Sequence, residues 1–284
     1  MLFAMRLLII LSLTIFSTSL AGQSIAFFAD AMVNASMPAH RVYAAERFDS
    51  LFLERISQSE SFQDDLADLS FVSVQYDDAR SLRVLSWQID EGEGNFGYRG
   101  YVQLGDSQFQ RFSSRTGRET YRSNRKTSIE DWAGGLVYKI LTVEDGLYLL
   151  TFRMVDQFTK VKTLEPLSIE EGKVMIGRPG TFDLNKRGSS ARIALEHSAD
   201  SNTQITYEPS TQRFIFDNLI AVQGRLQGQG PTFVPDGSYR AFEYNEGSWK
   251  YIDKLYSEVN RGPLDPNSRK KLDTRLTKKE KKKN

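Results

Sequence analysis

The sequence predicts a mainly β protein: an antiparallel meander, sandwich or barrel-like body preceded by an amphipathic N-terminal helix. Three observations carry this reading. From Phe71 onward, runs rich in β-branched and aromatic residues alternate with a period of two, the repeat of a pleated strand. Turn-forming Gly, Asp and Asn punctuate these runs at roughly 8–12-residue spacing, the rhythm of antiparallel sheets and not of βαβ units. Before Phe71 the apolar residues instead recur at helical spacing. With 284 residues, of which 40% are hydrophobic and 12% aromatic, the chain has the apolar surface to build a large core.

The first segment, residues 1–21, reads as a secretory leader. Arg6 supplies the positive charge, Leu7 to Phe16 the apolar run, and Ser19 and Ala21 the small residues of a cleavage site after Ala21. That run is shorter than the roughly 20 residues of a membrane-spanning helix, and charges interrupt every later apolar stretch. The expected address is periplasmic or extracellular, with no membrane span in the mature chain.

A helical lead-in is expected over residues 22–69. Phe48, Leu51, Phe52 and Ile56 share one helical face, with Glu46, Arg47, Glu54 and Arg55 largely off it. The helix should end near Ser59–Ser61, and a short helical turn should follow over Asp64–Leu69.

One β-rich domain is expected over residues 70–260. Phe71–Tyr76, Leu82–Ile89 and Tyr98–Leu104 read as a meander. Residues 106–130 are polar and basic and read as a long surface loop. Leu136–Val143 and Leu147–Val155 flank Glu144-Asp145-Gly146, a hairpin signal because Gly takes the positive-φ turn position. Arg192–His197, Gln204–Tyr207 and Arg213–Val222 read as further strands. Gln223 to Gly230 reads as a flexible crossing into a turn at Pro235, and lacks the Lys and the following helix of a phosphate cradle. Ser238–Tyr244 and Ser248–Leu255 close the domain as a hairpin, with Arg240, Phe242, Tyr244, Trp249 and Tyr251 in an aromatic ladder.

A Pro/Gly boundary at residues 260–267 precedes a basic tail that reads as disordered. The near-neutral total charge of +1 conceals an asymmetry: residues 269–284 hold nine Lys and Arg against two Asp and Glu, while residues 22–268 hold 27 basic against 34 acidic residues. Such a tail suits docking to an anionic envelope surface or glycan, with Lys278 and Lys279 as its binding candidates. No specific nucleic-acid recognition is implied.

The composition also excludes chemistry. Cysteine is absent and His40 and His197 are the only histidines, so disulfides, thiolate ligands, a cysteine nucleophile and a three-histidine metal site are all excluded within one chain. The most enzyme-like stretch is Glu196-His197-Ser198-Ala199-Asp200, which makes Glu196, His197 and Asp200 the catalytic candidates. On a strand Glu196 and Ser198 would face away from His197, whereas a triad needs convergence. Asp90, Glu91, Glu93 and Asn95 offer hard oxygens without the register of a calcium loop. Trp249 and Tyr251 are the candidates for stacking on a bound glycan. No metal or cofactor is implied.

Leu82–Gln88 (LRVLSWQ), Trp132–Ile140 (WAGGLVYKI), Ala191–Ser201 (ARIALEHSADS) and Val234–Leu255 (VPDGSYRAFEYNEGSWKYIDKL) together resemble uncharacterised exported β-rich proteins of Bacteroidetes-type bacteria. The resemblance covers most of residues 70–256. It implies export and a β-rich body, and brings no established activity and no site residues. The expectation is a non-enzymatic binding or envelope-associated module; the alternative is a secreted hydrolase using carboxylates.

Overall fold

The computed structural model describes residues 25–115 and 121–256. The leader 1–21, the boundary and tail 261–284, and with them Lys278 and Lys279, lie outside the described residues. Two helices lead: α1 over residues 25–34 and α2 over Pro38–Ile56. Pro38 occupies the first turn of α2, where its missing N–H costs nothing. Of the expected apolar stripe Phe48, Phe52 and Ile56 are buried and Leu51 is half-buried, with Ala44 and Ala45 also inside.

The expected helical turn over Asp64–Leu69 is reduced to one hydrogen-bonded turn, the Leu69 amide donating to the Leu66 carbonyl at 2.9 Å, and a 3₁₀ turn at Ser61–Gln63 precedes it. The Asp64 and Asp65 carboxylates accept the amides of Leu66 and Ala67 instead, and such local side-chain bonds compete with a helix. Asp64 and Asp68 also clasp Arg55, at 2.7 and 2.8 Å.

The body is mainly β, as expected, and its strands form sheets stacked on one another. The front sheet is an antiparallel meander of β1 (Ser73–Tyr76), β2 (Arg83–Gly92), β3 (Asn95–Gly105) and β4 (Gln108–Arg115). β4 lies inside the segment expected to be loop. Its polar residues suit an edge strand, and only Phe112 is buried among its described side chains.

The central sheet runs β5 (Thr127–Ser128), β9 (Lys173–Ile176), β8 (Thr159–Glu170), β7 (Gly146–Asp156) and β6 (Leu136–Val143). The outer sheet contains β10 (Phe182–Asp183), β11 (Ser189–Ser190), β13 (Ile205–Glu208), β14 (Arg213–Gln223), β15 (Pro231–Asn245) and β16 (Ser248–Tyr256). β12 (Ile193–Ser198) pairs with the first half of β8, beside the outer sheet. No closed barrel forms among the described residues.

Both faces of the central sheet are buried. Val137, Leu149, Val161 and Val174 meet Val84, Val102 and Phe112 of the front sheet. Tyr148, Leu150, Leu164 and Leu195 meet Phe182, Phe214, Phe242 and Trp249 of the outer sheet. β2 is likewise covered on both sides: Val84, with Leu82 just before the strand, joins the inter-sheet core while Leu85, Trp87 and Ile89 join the helix core. The rings of Phe48 and Phe52 meet Trp87 edge-on at 5.1 and 5.4 Å.

β8 carries no clear alternation in sequence, although it is the strand to which β7, β9 and β12 all bond. Lys160, Lys162 and Pro166 blur its pattern. Pro166 fits because the partner along that edge changes there, from β12, paired up to Leu164, to β9, paired from Leu167. The loop expected over Gln223–Gly230 closes a hairpin and does not cross the sheet, and Pro235, expected in a turn, lies within β15. After a bulge between Asp217 and Leu219, β14 and β15 continue to Gln223 and Pro231 as a two-stranded ribbon.

Candidate functional site

The most chemically distinctive surface is a groove where β12 borders the outer sheet. Ile193, Ala194, Leu195 and Glu196 line it from β12. Tyr121 and Arg122 form the near wall. The Tyr121 hydroxyl donates to Glu196 Oε2 at 2.6 Å, and Arg122 pairs with the same carboxylate. That bond raises the Arg122 guanidinium above its ordinary range.

The near wall is held from below by Arg192. Its guanidinium donates to the carbonyls of Ser123 and Arg125 at 2.7 and 3.1 Å and sits 2.8 Å from Glu165. Glu165 also accepts the Trp132 indole N–H at 3.1 Å and the Thr163 hydroxyl at 2.8 Å. A buried carboxylate is tolerable only with such partners.

The far wall comes from the outer sheet. The rings of Phe216 and Phe242 stack 5.6 Å apart and make an apolar floor. Above it the Arg187 guanidinium lies over the Tyr251 ring at 4.8 Å, and Arg240 lies 6.0 Å from the same ring. The closest carboxylate to Arg240 is Asp253, at 3.8 Å, and Arg240 Nε is buried with no hydrogen-bond partner. Burial keeps the Tyr251 phenol protonated beyond its usual range, with Asp253 reinforcing the effect and Arg187 opposing it.

The groove comprises two joined hollows. The one beside Arg187 and Tyr251 measures about 300 Å³. The one beside Leu219 and Phe233 measures about 260 Å³. A third hollow of about 370 Å³ lies elsewhere, against the ribbon, with Asp200 and Arg225 as its charged lining residues. It is larger, yet it lacks the convergent guanidinium groups and aromatic floor of the groove.

The sequence-nominated residues are dispersed. Glu196 lies in the groove, engaged by Tyr121 and Arg122. His197 points to the opposite face, fully buried, with Nδ1 3.1 Å from the Leu195 carbonyl oxygen. Its ring is held neutral below the usual range, first by burial and further by Lys160 and Lys162, against the pull of the Leu195 carbonyl and Asp217. Asp200 accepts the Ser198 hydroxyl and lines the third hollow. The three candidate catalytic groups therefore serve three separate environments.

Trp249 and Tyr251 also part company. Trp249 is fully buried, its indole N–H donating to the Tyr148 hydroxyl at 2.8 Å, so its ring offers no face to a ligand. Tyr251 lines the groove. The acidic β2–β3 loop is occupied by protein contacts, Asp90 with Arg41 at 3.4 Å and with the Gly92 amide at 2.8 Å. Among the described residues no cluster of three His, Asp or Glu side chains could hold a metal ion. Nor is any described helix long and apolar enough to cross a membrane.

The groove residues escaped the sequence reading, apart from Glu196 and Tyr251, because they come from separate strands and turns. The alternation of Arg240 and Phe242 opposite Tyr251 is the local signal that could have found part of it. No protein-family profile, curated protein or solved structure matches the chain.

Proposed function

We propose that the protein is an exported, non-enzymatic binding module that takes an acidic ligand in the groove between β12 and the outer sheet. One observation carries the reading: Arg187 and Arg240 converge on Tyr251 above an apolar floor, where the carboxylate beside them, Asp253, accepts the Tyr251 hydroxyl at 3.0 Å and lies 3.8 Å from Arg240. Guanidinium groups with no close bidentate carboxylate of their own are suited to bidentate capture of a carboxylate or sulfate. The dispersal of Glu196, His197 and Asp200 weighs against the hydrolase reading, because acid–base chemistry needs groups within reach of one substrate.

Export is supported by the leader pattern of Arg6, Leu7–Phe16 and Ala21. The basic tail adds a salt-sensitive attachment to an anionic envelope surface or glycan.

The test is calorimetric titration of the purified mature chain with glutamate, galacturonate and sulfate. Saturable binding of at least one anion is expected, weakened at least tenfold in the Arg187→Ala/Arg240→Ala variant with its thermal midpoint retained. Absence of saturable binding for every anion would sink the reading.

A further inference from the structure

We infer that the groove's ligand is a monoanionic amphiphile, a single carboxylate carried on a neutral apolar chain. The inference rests on the acidic-ligand reading and adds what the remainder of the ligand must be.

The two hollows share Ala194, Phe216 and Arg240, so they form one trough with Arg240 at its waist. Its ends differ in chemistry. The Arg187 end is cationic, with Arg187 and Arg240 flanking Tyr251. The other end is walled by Leu195, Leu219 and Phe233. The register pairs Ala221 with Phe233 and Leu219 with Pro235, which puts Leu219 and Phe233 on one face of the ribbon. Phe233 is 44% exposed, so its ring leaves apolar surface open at this end of the trough.

The charges at that end argue against a polyanion. Arg240 is the sole cation among the residues lining it, and its acids are Glu196 and Asp217. Glu196 is matched by Tyr121 and Arg122. Asp217 accepts the Gln204 amide and the Thr203 hydroxyl at 2.6 and 3.1 Å. A second anionic group on the ligand would therefore lie against these carboxylates, whereas hydrocarbon would cover Leu219 and Phe233. The β12 side of the trough from Ile193 to Glu196 spans roughly 10 Å at about 3.3 Å per residue, which suits a medium-length chain.

The experiment titrates the mature chain with octanoate below its micelle concentration, and in parallel with acetate, octanol, trigalacturonate and phosphatidylglycerol vesicles. Octanoate should bind at least tenfold more tightly than acetate or octanol. Arg187→Ala/Arg240→Ala should abolish the preference for octanoate over octanol. Phe233→Ser, at an exposed position, should weaken octanoate about fivefold and leave acetate unchanged.

Octanoate binding no tighter than acetate, or trigalacturonate binding tighter than octanoate, overturns the amphiphile while the acidic-ligand reading stands. Capture by vesicles without binding of monomeric octanoate overturns it in favour of membrane contact. Failure of every anion overturns both readings together.

Discussion

The Arg192 guanidinium lies 2.8 Å from the Glu165 carboxylate, with side-chain exposures of 3% and 1%. This pair ties the groove to the interior: Glu165 belongs to β8, and Arg192 precedes β12 and grips the segment that carries Tyr121 and Arg122. Removing one member of a buried pair leaves the other charge uncompensated, at a cost of about 3–5 kcal/mol. Glu165→Leu should therefore lower unfolding stability by about that amount in urea titrations. Adding Arg192→Met should restore part of it, and a double variant no better than the single one would refute the coupling.

Gly100 should tolerate no side chain. It sits in β3 between β2 and β4, and a Cβ there would overlap the Leu85 carbonyl oxygen and the Phe112 ring. Overpacking of this kind costs about 1–3 kcal/mol. Gly100→Ala should lower the thermal midpoint, whereas Gly105→Ala, where nothing crowds the added carbon, should show strain from its positive φ alone.

Trp249 is a core residue and not a ligand platform. Trp249→Ala should cost about 3–5 kcal/mol, and Trp249→Phe less, since it forfeits mainly the bond to the Tyr148 hydroxyl. If Trp249→Phe, still folded, changed ligand affinity as strongly as Arg187→Ala, the placement of the site would be refuted.

Stability should decline as pH falls through about 6.5, the ordinary range for histidine. His197 is buried beside Lys160 and Lys162, which holds its folded-state pKa below that value, so the unfolded chain takes up the proton first. The contribution is complete above about pH 6.5 and is lost as pH falls towards the lower folded value. Comparing thermal midpoints of wild type and His197→Gln between pH 8 and 5 checks this: the variant should lack that component. A His197 ring that titrates by NMR at the ordinary value would contradict it.

Deleting residues 269–284 should release the protein from envelope fractions at low salt, and moderate salt should do the same to the intact chain. Fractionation that ignores both changes would dismiss the anchoring role.

Local patterns carried much of the fold. The stripe of Phe48, Leu51, Phe52 and Ile56 needs only helical geometry to be recognised. The hairpins at Glu144-Asp145-Gly146 and Asn245-Glu246-Gly247 need only turn chemistry. The predicted ladder is present as cross-strand pairs, Phe242 with Tyr251 and Tyr244 with Trp249, their rings 5.4 and 5.1 Å apart. Where neighbours outside the segment decide, local pattern does not show the element. β4 is polar because it edges the front sheet, and β8 keeps Glu165 and Pro166 because Arg192 and the change of partner strand accommodate them.

The chain's residues by themselves determined a mainly β body behind an amphipathic helix, an acidic middle with a basic end, and the exclusion of thiol chemistry. The stacking of sheets, and hence which side chains meet, was decided only in three dimensions. Period-two alternation tells which residues share a face of a strand; it does not tell what that face packs against. Trp249 and Tyr251, two residues apart on β16, show the difference. Packing closes the core over the first and leaves the second at the groove under Arg187.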